Sequence, residues 1–300
     1  MSDDTGLRLM AVHAHADDET ITMGGLLALC ADRGIRTCNI CCTDGKLATI
    51  VDPSMPEETT RPRLAEIRQA ELREACRILG VDELYFLGYG DSGMPGAETN
   101  ELPDAFWMAP MDEVVRRLVE HIRRFRPHVV VTYDGYGGYG HPDHIQAHRA
   151  TLLAVEAAET AVYPEAGERW RVAKLYYTAF PRSWLQKITD AAKQAGMEPP
   201  FGVDDPSDLP FLTPDEWVTT SIDGRSVIGR KRAALRAHRS QIAEDWPMLS
   251  IPEEVAREFA EEFFQLVVSR RAPLLPETDV FAGIEADAVR QAVAGGQAAR

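Results

Sequence analysis

Apolar residues along this chain fall into short unbroken runs separated by stretches of helical periodicity. Leu7 to Ala14 is an almost continuous apolar run, interrupted by one Arg, and predicts a strand buried on both faces. Thr20 to Arg33 carries Ile21, Leu26, Leu27 and Cys30 at helical spacing, with Gly34 as a stop. Ile35 to Cys42 predicts a second strand, Arg63 to Leu79 an amphipathic helix closed by Gly80, and Glu83 to Leu87 a third strand. Met111 to Phe125 reads as a helix and Val129 to Tyr133 as a strand. Pro142 to Ala158 reads as a helix with its proline in the first turn. This alternation through the first 160 residues predicts an α/β fold, a Rossmann-like, doubly wound and mostly parallel sheet covered on both faces.

The rest is less regular. Arg171 to Thr178 predicts a strand, and Ser183 to Gln194, Gly224 to Ala243 and Pro252 to Val268 predict helices, with a proline-bearing loop from Pro199 to Pro214. Residues 1–170 form the expected catalytic layer, and 171–300 a C-terminal α/β extension packed on it, one compact unit overall. The tail beyond Ile284, rich in Ala and Gln, is expected to fray.

Composition narrows the function. The chain is 45% hydrophobic and 26% charged, ordinary for a soluble enzyme. A formal charge of -15 argues against nucleic-acid binding and against adhesion to an anionic membrane. No apolar stretch approaches the roughly 20 residues that span a bilayer, and Met1-Ser2-Asp3-Asp4 lacks the basic start of a signal peptide. A cytoplasmic location is the expectation. Five cysteines, an odd number in a chain this long, do not make a disulfide framework, and Cys38 and Cys41 lack a second pair for a zinc site.

The chemistry concentrates in two clusters. His13-Ala14-His15-Ala16-Asp17-Asp18-Glu19 follows the first strand, and His141-Pro142-Asp143-His144 follows the glycine-rich loop after Val129 to Tyr133. Five of the eight histidines lie in these segments or one turn beyond. In open α/β sheets ligands bind at the carboxyl ends of the strands, so the fold brings both clusters to one rim. His15, Asp18 and His144 make up the three protein ligands of a catalytic zinc; two imidazoles and a carboxylate also suit ferrous iron. Such a metal acidifies its water and polarises a carbonyl. Asp17 then stands as general base, a protonated His141 as oxyanion partner, and Asp143 as the group that orients an imidazole through its second nitrogen. The plainer alternative is that Asp17-Asp18-Glu19 merely cap a helix.

His15-Ala16-Asp17-Asp18-Glu19 resembles the His-Pro-Asp-Asp-Glu signature of the LmbE/PIG-L-like zinc-dependent N-deacetylases, and Gly137-Gly138-Tyr139-Gly140-His141-Pro142-Asp143-His144 resembles their second metal motif. The likeness continues through Asp91-Ser92-Gly93-Met94 and through Lys231 to Gln241, so it covers most of the chain. The closest branch resembles the deacetylases of N-acetylglucosaminyl-inositol in mycothiol biosynthesis, with the mycothiol S-conjugate amidases beside it. The resemblance implies that His15, Asp18 and His144 bind zinc. It makes Asp17 the base and His141 the acid or oxyanion stabiliser tuned by Asp143, and has Tyr139 polarise the carbonyl. Arg68 and Asp91 match substrate-contacting positions. Two departures stand out. Ala16 replaces the motif's proline, which loosens the loop. Lys46, in Thr43-Asp44-Gly45-Lys46, reverses the charge of a recognition position, and the loop Leu47 to Thr60 also differs.

Other histidines have plainer readings. His148 is either a rival ligand four residues after His144 or a helix-face residue; His238 either lines the pocket or answers a helix dipole; His121 and His128 are structural. The glycines from Gly135 to Gly140 give the loop backbone freedom rather than cradle a phosphate. The expected activity is removal of an acetyl or acyl group from the amide nitrogen of a small amino sugar or related conjugate, with no nucleic-acid or membrane partner; self-association is compatible with the sequence. The alternatives are an amidase of a larger S-conjugate and, in another class, a nucleotide-binding Rossmann module without catalysis. The latter lacks the glycine fingerprint after the first strand.

Overall fold

The computed structural model describes residues 5–284 apart from 195, 197, 200, 201 and 210. The predicted tail beyond Ile284 lies outside these residues. Seven strands form one sheet: β1 (Arg8–His13), β2 (Arg36–Thr43), β3 (Glu83–Tyr89), β4 (Val129–Thr132), β5 (Lys174–Ala179), β6 (Thr220–Asp223) and β7 (Glu261–Ser269). Their order is β3-β2-β1-β4-β5-β7-β6. The first five run parallel; β7 pairs antiparallel with β5 and with β6. The doubly wound, mostly parallel sheet expected from the alternation is present, with a mixed edge from the C-terminal part.

Six longer helices flank it: α1 (Asp18–Asp32), α2 (Leu64–Leu79), α3 (Met111–Phe125), α4 (Pro142–Ala158), α5 (Arg182–Gln194) and α6 (Ile228–Ala237). Met10, Val12, Ile40 and Val130 meet Leu118, Val119 and Ile122 of α3 and Ala147, Ala150 and Ala154 of α4 on one face. Leu9, Ala11, Val129 and Val131 meet Leu26 and Leu27 of α1 and Ala234 of α6 on the other. Burial on both faces is why the strands read as unbroken apolar runs. α2 ends, as its glycine suggested, at Gly80 with φ 82.

Two C-terminal expectations are corrected. Pro252 to Val268 is not a helix: Glu253–Ala256 makes one turn, and Glu261–Ser269 is a strand held between β5 and β6. Phe263, Phe264, Val267 and Val268 are strand formers, and pairing on both sides overrides the helical spacing of the acidic stretch before them. Gly224 to Ala243 is helical only over Ile228–Ala237, preceded by a 3-10 turn at Arg225–Val227.

α1 is interrupted at Met23 (φ -148, ψ 21). The freed N–H groups of Gly25 and Leu26 donate to the Glu262 carboxylate on β7, at 2.7 and 2.8 Å. Lys231 of α6 completes this buried cluster, reaching Glu262 at 2.6 Å and the Ile21 carbonyl at 2.9 Å. The charges are paired and hydrogen-bonded, as burial requires.

Candidate metal centre and active site

Strand order reverses between β1 and β4, which run side by side with Leu9 opposite Val129. The crevice at their carboxyl ends receives residues 14–18 from one strand and 133–144 from the other, the place where open α/β sheets hold ligands. Here His15 Nδ1 lies 3.0 Å from His144 Nε2. Asp18 Oδ2 is 3.6 Å from the first and 3.5 Å from the second. All three residues are buried.

Hydrogen bonds settle what these atoms are. His144 Nδ1 is 3.0 Å from the Gly137 carbonyl, which can only accept, so Nδ1 carries the proton and Nε2 a lone pair. His15 Nε2 donates to Asp143 Oδ2 at 3.2 Å, so the neutral ring has its lone pair on Nδ1. Two lone pairs and a carboxylate oxygen therefore converge, an arrangement that suits a cation. Ligands at zinc–nitrogen distances around a tetrahedral ion lie about 3.3 Å apart, close to the observed separations. Without an ion, a second proton on His15 must bridge the gap. Burial opposes that charge, but Asp143 and Asp18 outweigh it and raise His15 to about 10. Asp18 is held well below the carboxylate range, burial being overcome by His144 and His15.

Asp143 orients His15 rather than His141, whose Nδ1 is 4.0 Å from the Asp143 carboxylate. Asp143 is itself fixed by Ser92, which donates its backbone N–H at 2.9 Å and its hydroxyl. His141 is the N-cap of α4: its Nδ1 accepts the Asp143 backbone N–H at 3.1 Å. That makes Nε2 the protonated nitrogen, a donor rather than a ligand. Burial and the neighbouring His15 charge lower His141 to about 4. His141 still lies close enough to His15 and His144 to form a candidate trio of imidazoles, and His15, Asp91, His141 and Asp143 form a second donor group. His148 belongs to neither; its Nδ1 donates to the Tyr133 carbonyl at 2.9 Å.

Asp17 lies between His15 and Asp18 and has φ 115, a conformation that costs a non-glycine residue about 1–3 kcal/mol. Burial raises its carboxyl to about 6, against the opposing pull of Arg68. Arg68 of α2 donates to the Ala16 carbonyl at 2.6 Å, the Gly45 carbonyl at 2.9 Å and Asp17 Oδ2 at 3.3 Å. It ties down the loop whose proline Ala16 replaces. A Cβ on Gly45 would lie 2.3 Å from the Arg68 guanidinium, so glycine permits the approach. Asp17 makes no side-chain cap of α1, and Asp18 Oδ2 accepts the His15 backbone N–H at 2.9 Å. The capping alternative fails for both.

Of the expected substrate contacts, Asp91 lies in the site, its Oδ1 3.9 Å from His15 Nε2. Lys46 points into a pair of carboxylates, 2.9 Å from Asp104 and 3.6 Å from Asp44. Tyr139 stands half exposed, its ring 4.9 Å from that of His144. His238 is fully buried behind α1 and meets Glu19 at 3.1 Å instead of lining a pocket. Three residues escaped sequence reasoning. Tyr133 donates to Asp18 Oδ2 at 2.6 Å, accepts the Ala14 N–H at 2.7 Å and stacks on His144 with ring centroids 4.1 Å apart. Its position at the end of a central strand was the available signal. Ser92 and Glu19 had no signal beyond their place in the motifs. The five cysteines are free and buried.

The chain belongs to the PIG-L family: the family model, described as GlcNAc-PI de-N-acetylase, matches residues 10–155. It is therefore a hydrolase of the deacetylase class. Its curated relatives include the 1D-myo-inositol 2-acetamido-2-deoxy-alpha-D-glucopyranoside deacetylase of Geodermatophilus obscurus, 43% identical over 287 residues, 92% of this chain and 98% of that one. A second, from Catenulispora acidiphila, is 43% identical over 288 residues, 92% of this chain and 89% of its own. Among solved structures, N,N'-diacetylchitobiose deacetylase from Pyrococcus horikoshii matches with TM-score 0.59 and 22% identity, over 89% of this chain and 87% of that one. The 4-carboxy-2-hydroxymuconate hydratase of Pseudomonas putida matches with TM-score 0.60 and 19% identity, over 90% and 99%. One fold thus carries two reactions. Among the described residues, no helix is long and apolar enough to cross a membrane.

Proposed function

We propose that this protein removes the acetyl group from the amide nitrogen of an N-acetylglucosaminyl-inositol or a closely similar small amino sugar, with zinc held by His15, Asp18 and His144. The observation that carries this reading is the meeting of two imidazole nitrogens and one carboxylate oxygen within 3.6 Å. The relatives' printed substrate supports the choice of amino sugar. When bound, the ion supplies Lewis acidity toward the amide carbonyl and toward a water.

The chain's own groups do the rest. Asp17, buried and held at about 6, takes a proton near neutral pH, the condition for a general base. His141 offers Nε2–H to the oxygen that gains charge, and Tyr139 adds its hydroxyl from the rim. Asp143 keeps His15 in the tautomer that leaves Nδ1 free. Arg68 holds Asp17 in place, and Asp91 stands beside His15 where a sugar hydroxyl can reach it.

The test is amine release from N-acetylglucosaminyl-inositol, run against a mycothiol-type amide, with metal analysis of the same preparation. Asp17→Asn should keep stoichiometric zinc and lose turnover by about 10²- to 10⁴-fold. Full activity in that variant removes Asp17 as the base; activity untouched by a chelator removes the metal.

A further inference from the structure

Asp17 is held in an unfavourable backbone conformation by Glu19 of its own motif, and the groups that set Glu19 and the preceding carbonyl include Arg68 and His238 from outside the two motifs. Its N–H donates to Glu19 Oε2 at 3.2 Å. The carbonyl before it, on Ala16, is held by Arg68, and its own carbonyl accepts the N–H groups of Thr20 and Ile21 at 3.0 and 2.9 Å. Every polar backbone group flanking the strained torsion is thus anchored. The Glu19 anchor is itself set: Oε1 accepts from the Thr20 hydroxyl and from His238 Nε2 at 3.1 Å. Both Glu19 and His238 are fully buried.

We propose that Glu19 and His238 are positioning residues, a buried relay through which the C-terminal extension holds the base Asp17 in its working conformation. His238 sits just past α6, and its carbonyl accepts the N–H groups of Gln241 and Ile242 at 2.9 and 2.8 Å, which fixes the turn. Two residues on, Ser240 donates its N–H and hydroxyl to Glu71 of α2, at 2.9 and 2.6 Å. α2 also carries Arg68. One short segment therefore bears on Asp17 from two directions, through Glu19 on its N–H and through the helix that presents Arg68. An apolar pair would fill the space behind α1 without the desolvation that two ionisable side chains incur; only a hydrogen-bonding acceptor can hold the Asp17 N–H.

This inference rests on Asp17 being the base, and the experiment separates the two. Zinc-loaded wild type, Asp17→Asn, His238→Leu, His238→Gln and Glu19→Gln are compared on N-acetylglucosaminyl-inositol. His238→Leu is expected to lower kcat about 10- to 100-fold with KM and zinc content kept, the range seen when an outer hydrogen-bond partner is lost. His238→Gln, whose amide nitrogen replaces the Nε2 donor, is expected to recover most of that loss. Crystals of metal-free His238→Leu should show Asp17 relaxed to negative φ, a readout independent of activity. A raised KM with intact kcat would make His238 a substrate contact and overturn the proposal, as would unchanged kinetics or equal losses in the Leu and Gln variants. If His238→Leu does not fold, Glu19→Gln decides: it keeps the shape but offers one acceptor oxygen for three donors, and wild-type kcat in it overturns the relay. An active Asp17→Asn removes the base assignment; a dead Asp17→Asn beside a fully active His238→Leu removes only the relay.

Discussion

Tyr133 shows how much of the proposed metal centre lies outside its three proposed ligands. Its hydroxyl fixes the Asp18 oxygen that faces both imidazoles, and its ring lies on His144. Tyr133→Phe keeps the stacking and removes the hydroxyl. It should weaken zinc affinity about 10- to 100-fold, read by competition with a chromogenic chelator; unchanged affinity would reduce Tyr133 to packing. At this scale the meeting of His15, Asp18 and His144 was legible, because imidazole and carboxylate at strand ends are uncommon and chemically specific. What was not legible is which group touches which. Asp143 leans on His15, not on the nearer-in-sequence His141, and His238 turns from pocket to interior, because those choices depend on side-chain directions set by packing.

Among the elements, the turn from Gly137 to Gly140 illustrates how a backbone conformation serves the chemistry. Gly137 has φ 71, and a Cβ there would lie 2.8 Å from both His144 Cβ and the Ile145 nitrogen. Its carbonyl sets the His144 tautomer. Gly137→Ala should cost about 1–3 kcal/mol through the unfavourable φ and impair zinc uptake, seen as a lower melting temperature together with substoichiometric metal. A stable, fully metallated variant would show that the loop tolerates the side chain. The parallel strands β1, β2 and β4 were readable because burial on both faces leaves an unbroken apolar run. β6 and β7 were not, because their strand character comes from pairing at the antiparallel edge, while the acidic residues before Phe263 mimic helical spacing.

For the molecule as a whole, His128 links the N-terminal strand to the centre of the sheet. Its Nδ1 accepts the Arg8 N–H at 3.0 Å, and burial, with Arg8 nearby, lowers it to about 4. The unfolded ring, near 6.5, takes its proton first as pH falls. The unfolded state then binds more protons, so His128's contribution to stability is complete above about 6.5 and declines toward 4. His128→Asn, which preserves an acceptor for Arg8, should flatten the fall of denaturant stability across that window relative to wild type. An identical pH profile would show that His128 does not govern it.

The neighbouring placement of β1 and β4 carries one more consequence. Successive residues along a strand advance by about 3.3 Å, more than the 3.0 Å gap between His15 Nδ1 and His144 Nε2. A molecule that misaligned these two strands by a single step would keep all three proposed ligands but carry His144 away from His15 and Asp18. Zinc uptake by the proposed site during refolding would therefore gauge alignment, scoring the fraction of chains in which residues more than a hundred positions apart have found the right partners.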